Sequence, residues 1–136
     1  MTIIAVGKLQ TAGIKASFEH YHKQLKHVKV IEIKESNIQK ESLEILKHIK
    51  DSNQVIVCAI EGKEVDTYGF CALYQDHLDT VFVVGGSEGL DDSVKAIAKH
   101  TLSFSKMTFP HQLARLMLME QIFRCEKIKQ HHPYHK

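Results

Sequence analysis

The residues best suited to chemistry fall in two places: the turn Gly85-Gly86-Ser87-Glu88-Gly89-Leu90, and a C-terminal stretch bearing Arg124, Lys127, Lys129, Tyr134, His135 and Lys136. Glycines let backbone N–H groups approach a ligand closely, and the N-terminus of a following helix favours an anionic group. The turn is GGxxG, not the dinucleotide fingerprint GxGxxG, and Gly62-Lys63 lacks the flanking residues of a phosphate loop. It therefore reads either as a ligand loop or as a plain strand-to-helix connection. His131, His132 and His135 have no partnering Cys or acid cluster, so no metal is expected and a solvated or nucleic-acid-facing tail is the better reading. Arg115, Arg124, Lys127 and Lys129 form either a solvated helix face or a surface for a phosphate backbone, with the aromatic and histidine tail ready to stack on a base. Glu120 lies among apolar neighbours with Arg124 at i+4, which predicts an intrahelical ion pair. No nucleophilic triad is visible. Ser103 and Ser105 lack a GxSxG context, and Cys58, Cys71 and Cys125 sit in apolar periodic segments.

The charge is unevenly spread. Residues 1–101 carry 12 Lys+Arg against 14 Asp+Glu, net −2, whereas residues 102–136 carry 6 against 2, net +4, with four of the ten histidines. The C-terminal quarter is thus where an anionic partner is expected. A chain of 136 residues with 43% hydrophobic and 25% charged composition predicts one globular domain, residues 1–136. Its apolar runs stop far short of the roughly 20 residues a bilayer span needs. Met1 to Gly7 lacks the basic and long apolar regions of a signal peptide, so the cytoplasm is expected. The three cysteines form no CxxC pair, which predicts reduced, mostly buried thiols.

The elements that must position these groups alternate. Thr2 to Val6 reads as a strand, Thr11 to Leu25 as a helix with Ile14, Phe18, Tyr21 and Leu25 on one face, and Val28 to Ile33 as a second strand. Ser36 is the expected N-cap of the next helix. Gln54 to Ile60 reads as a strand buried on both faces, turned by Glu61-Gly62-Lys63 into a helix capped by Asp66 and carrying Phe70, Leu73, Tyr74 and Leu78. Thr80 to Val84 runs into the glycine turn and a helix from Asp91 or Asp92. Thr101 to Phe104 is a short strand, and Pro110 opens a last helix reaching about Gln130. This order predicts an α/β fold with a parallel sheet covered by helices on both faces. The strip Leu113, Leu116, Met117, Leu118 and Phe123 is wider than one helix face needs, so it reads as core or subunit contact.

The combination VFVVGGSEGL, LSFSKMTFPHQLARLMLMEQIFR and the closing HPYHK, with the AVGK opening, closely resembles the ribosomal large-subunit pseudouridine N3-methyltransferases of the SPOUT class, over nearly the whole chain. The resemblance implies a Rossmann-like sheet with a C-terminal deep trefoil knot, an exception to the usual absence of knots. It implies S-adenosylmethionine bound at Cys58, Gly85 and the loop Phe104, Ser105, Lys106, Met107, Thr108 and Phe109. It also implies a homodimer in which the partner's tail completes each site, and a substrate in 23S rRNA of the assembled ribosome. On this basis His135 is the candidate for proton handling, Tyr134 for stacking or hydrogen bonding to the base, and Arg124 and Lys136 for anion stabilisation. His111 would organise the site from the first turn of the last helix. Cys58 stands where the family often has Leu, Ser42 where it tends to have Gly, and the segment near residues 35–42 is short for the family. The rival expectation is a cofactor-free rRNA-binding assembly protein that kept the fold and the basic tail; another is a small-molecule sensor without RNA contact.

Overall fold

The computed structural model describes residues 1–74 and 79–136. Its elements are β1 (Thr2–Val6), α1 (Ala12–His22), β2 (Lys29–Ile33), α2 (Ile38–Lys47), β3 (Gln54–Glu64), α3 (Thr67–Tyr74), β4 (Thr80–Val84), α4 (Asp92–Ala96), β5 (His100–Ser103) and α5 (His111–Lys129). The strands form one sheet, ordered β2-β1-β4-β3-β5 with every pair parallel. The period of two in a strand sends Ile3, Ala5, Ile56 and Phe82 to one face and Ile4, Val6, Val55, Val57, Val81 and Val83 to the other. On the first face they meet Phe18 of α1, Phe70 of α3 and Leu118 and Ile122 of α5; on the second, Ile45 of α2 and Val94 of α4. The expected α/β sheet with helices on both faces is therefore present, and the continuous apolar runs follow from burial on both sides.

Several expectations need correction. The second helix is capped by Asn37, whose side chain accepts from Lys40 N–H at 2.9 Å, one residue beyond Ser36. Ser36 instead donates its backbone N–H to Glu41, which secures the same helix start. Pro110 is the N-cap of α5, one position before the first helical residue. Leu78, expected on the third helix, lies outside the described residues. Glu61-Gly62-Lys63 does not end the third strand: Cys58 and Lys63 both pair with Leu102, residues 59–62 bulge between them, and the strand continues to Glu64. Gly62 is required there because a Cβ would lie 2.6–2.7 Å from backbone atoms of Thr101 and Leu102. Finally, Cys71 and Cys125 are joined by a disulfide and only Cys58 is a free thiol. The two are 54 residues apart in sequence, but α3 packs on α5 and sets their Cα atoms 5.6 Å apart.

Candidate active site

At the C-terminal ends of β3, β4 and β5 lies a cleft of about 710 Å³, the position where open parallel sheets bind ligands. One wall is the GGSEGL turn. Gly89 N–H donates to Gly86 O at 3.1 Å, and Gly89 has φ +78°, a conformation that favours glycine. Gly85 packs flat on this turn, and a Cβ there would meet Gly89 O at 2.7 Å. A second wall is the bulge of β3, where Glu61 pairs with Lys95 of α4 at 2.6 Å across the rim. The hydrogen bond from Lys95 holds the Glu61 carboxyl below its usual range. The third wall is the loop after β5, folded by Ser103 Oγ donating to Ser105 O and by Met107 N–H donating to Ser105 Oγ.

Of the residues that the resemblance assigned to the cofactor, Cys58, Gly85, Phe104, Ser105, Met107, Thr108 and Phe109 line this cleft, as does His111; Lys106 is absent from its lining. Cys58 is partly open to it. Burial pushes its thiol up to about 12, so it stays neutral and offers a soft contact surface in place of a nucleophile.

Arg115 does not belong to a solvated face. It is 1% exposed, and its guanidinium donates to Val6 O at 2.9 Å, Gly7 O at 2.8 Å and Glu32 at 2.9 Å. Burial lowers its pKa, and Glu32 opposes that shift. One turn earlier, Gln112 Oε1 accepts the N–H groups of Gln10 and Thr11, and His111 stands 3.7 Å from Glu35. These contacts tie the start of α5, and hence the loop before it, to the end of β1. The spacing of a basic helix gives no sign of such burial.

Arg124, Tyr134 and His135 gather elsewhere, and neither they nor Lys136 line the cleft of their own chain. Glu120 accepts from Arg124, as expected, and also from the Tyr134 hydroxyl at 2.9 Å. Tyr134 further meets the Tyr21 hydroxyl at 3.4 Å, Phe123 edge-on, and the Arg124 guanidinium 4.7 Å from its ring centre. Burial, Tyr21 and Glu120 together raise the Tyr134 pKa, so its phenol stays neutral. The hydrogen bond to Glu120 raises that of Arg124. His135 Nδ1 lies 3.3 Å from Arg124 and its ring 5.2 Å from that of Tyr68, while Lys136 is exposed. What aims the tail is a reversal after α5: His131 N–H donates to Ile128 O and His132 N–H to Lys127 O, with His131 at φ 54°. His131 stands where glycine is usual, so the residue types do not mark this reversal.

A second cleft of about 600 Å³ opens among α1, α3 and α5 and shares Leu102, Ser103 and Phe104 with the first. Leu113, Leu116 and Met117 line it, whereas Leu118 and Phe123 are core. The apolar strip of α5 thus divides between core and an open groove that also includes Glu120. Among the described residues no group of His, Cys, Asp and Glu is placed to hold a metal ion, and no helix is long and apolar enough to cross a membrane.

A family model described as "Predicted SPOUT methyltransferase" matches residues 1–135. The chain is 43% identical over 144 residues to the ribosomal RNA large subunit methyltransferase H of Acholeplasma laidlawii, covering 98% of this chain and 97% of that protein. It is 41% identical over 157 residues to the enzyme of the same name from Clostridium botulinum strain 657, covering 100% and 99%. In fold it is similar to the SpoU methyltransferase AviRb of Streptomyces viridochromogenes, solved in complex with AdoMet, with a TM-score of 0.53 at 10% identity. That match covers 95% of this chain and 61% of that one.

Proposed function

The chain belongs to the SPOUT methyltransferase family, and we propose that it is an S-adenosylmethionine-dependent enzyme that methylates N3 of a pseudouridine in 23S rRNA of the assembled ribosome. The observation that carries this reading is the cleft, built jointly by the glycine turn, the β3 bulge and the loop before α5. Its volume falls within the range of roughly 300–1,000 Å³ usual for small-molecule sites. Its lining suits a nucleoside with an amino-acid tail. Leu90, Leu102 and Phe104 offer apolar surface to a flat base, Gly85 and Gly86 bring backbone close, and Glu61, Glu88 and Lys95 supply charge. Cys58, Gly85 and the loop from Phe104 to Phe109 would hold the cofactor, with Lys106 at the loop's outer side. A cofactor-free assembly protein has no use for such a cleft, which disfavours the rival reading.

When bound, S-adenosylmethionine supplies a sulfonium methyl group for in-line displacement, so positioning donor and acceptor carries much of the rate. The residues of the tail then act on the base. Tyr134, a neutral phenol fixed by Glu120, is suited to stacking or donating to the base, and Arg124 stays cationic beside it. A guanidinium only donates, so Arg124 at His135 Nδ1 leaves the ring proton on Nε2. In that arrangement His135 is a donor toward the anion that develops as the N3 proton passes to water; it can itself accept that proton at Nδ1 only after parting from Arg124. Lys136 adds positive charge at the tip, and His111 steadies the loop. Because the tail does not line its own cleft, we assign it to the cleft of a second protomer. The groove of Leu113, Leu116 and Met117 is the surface suited to the dimer contact. The deep trefoil knot, a single domain over residues 1–136 and a cytoplasmic location belong to the same reading.

Titrating S-adenosylmethionine into the purified protein in a calorimeter is expected to give saturable binding near one molecule per chain. A flat titration would refute the enzyme and return the assembly-protein alternative.

A further inference from the structure

Residues 20–31, with Lys23, Lys26 and Lys29, and residues 127–136, with Lys127, Lys129 and Lys136, carry bases and no acid. Histidines punctuate both. They are far apart in sequence, yet α1 packs along α5 and brings their ends together: His27 lies 4.0 Å from Glu126, and the Tyr21 and Tyr134 hydroxyls are 3.4 Å apart. The first stretch is rigidly mounted. Leu25 and Val28 are buried in the core, Lys29 N–H donates to Met1 O, and His22 is hydrogen-bonded to Val28 O, which turns Lys23, Lys26 and Lys29 outward. Among the described residues none of these three lysines pairs with a carboxylate, unlike Lys47, Lys95 and Lys129. Glu126 lies between the two stretches and is engaged by Lys129 and His27.

We propose that these two stretches form one docking surface for the phosphate backbone of ribosomal RNA, set beside the tail that reaches the target base. The inference rests on the rRNA methyltransferase reading and adds where the RNA is gripped. Unneutralised lysines on a rigid mount release counterions from a polyanion without first breaking internal ion pairs. The surface lacks the apolar patch a lipid or apolar protein partner needs: of the exposed large hydrophobics, Leu43, Ile60, Ile97 and Met107 lie on other elements, and Tyr68 alone meets its edge, at His135. Apart from Glu126 its charged groups are all basic, which disfavours a second copy of the same surface as its occupant.

The test compares Lys23→Gln/Lys26→Gln/Lys29→Gln with a control of equal charge loss on the opposite face of the sheet, Lys40→Gln/Lys47→Gln/Lys50→Gln. Ribosome affinity is measured between about 50 and 200 mM salt for both, with cofactor titrations and thermal melts as folding controls. The first variant is expected to lose about 10- to 100-fold in affinity, and the slope of log K against log salt should flatten by about 2. Its cofactor affinity should be unchanged and the control should stay within about twofold of the parent. Parental affinity and slope in the first variant, an equal loss in the control, or tighter binding of the parent to anionic lipid vesicles than to ribosomes would each overturn the proposal. Failure here is separable from failure of the enzymatic reading: a parent that methylates rRNA while the variant binds normally sinks only the docking surface.

Discussion

Deleting Tyr134, His135 and Lys136 is expected to lower methyl transfer to ribosomal RNA by about 10³-fold, with S-adenosylmethionine affinity kept within about twofold. The separation follows from where the residues lie. None of the three lines the cleft of its own chain, so no cofactor contact within the protomer is lost. What is lost is a preorganised group: Tyr134 clamped by Glu120 and Tyr21, and His135 held by Arg124 and Tyr68. The reversal at His131 and His132 is retained, so α5 keeps its C-terminal cap. Turnover assays and calorimetry on the same preparation separate the two effects. Undiminished turnover would remove the tail from the chemistry, and a parallel collapse of cofactor affinity would place it in the cofactor site.

Replacing Arg115 by Met should destabilise the fold by about 3 kcal/mol. Met has nearly the same length and no charge, so the core stays filled but the carbonyls of Val6 and Gly7 lose their donors. Each buried orphan costs about 1–3 kcal/mol, offset in part because no guanidinium need be desolvated. For a chain of this size the melting temperature should fall by about 10 °C. The change also frees the start of α5 from the end of β1, so the loop before α5 should lose definition and cofactor affinity should drop. Arg115→Lys should fall between the two, because a single ammonium cannot bridge Glu32 and two carbonyls as the planar guanidinium does. A Met variant melting with the parent would show that the buried cation contributes nothing.

The contrast between Arg115 and Glu120 shows how much of the site is legible in the sequence. The Glu120–Arg124 pair is an i,i+4 relation, readable from spacing alone, and it is present. Arg115 binds residues 83 to 109 positions away, and a residue type that usually lies at the surface gave no hint of it. The strands Thr2–Val6 and Thr80–Val84 were readable because β-branched runs ended in glycine. Gly62 misled for the opposite reason: it looks like a turn residue, yet its role is close passage past the backbone of β5, a demand set by the neighbouring strand. The Cys71–Cys125 bond was hidden likewise, since it depends on how α3 lies on α5. Asn37 displaced Ser36 as a cap because both side chains can accept the N–H, and tertiary fit decides between adjacent candidates. The cleft-lining loop could be named from the motif SFSKMTFP. The clamp on Tyr134 could not, because it joins α1, α5 and the tail.

Mass spectrometry of 23S rRNA tests the central claim most directly. Ribosomes from cells lacking this protein are incubated with the purified chain and S-adenosylmethionine, and the rRNA is digested to nucleosides. One pseudouridine should gain a single methyl group at N3, only when cofactor and chain are both present. An unchanged digest, or a methyl group on another nucleoside, would contradict it.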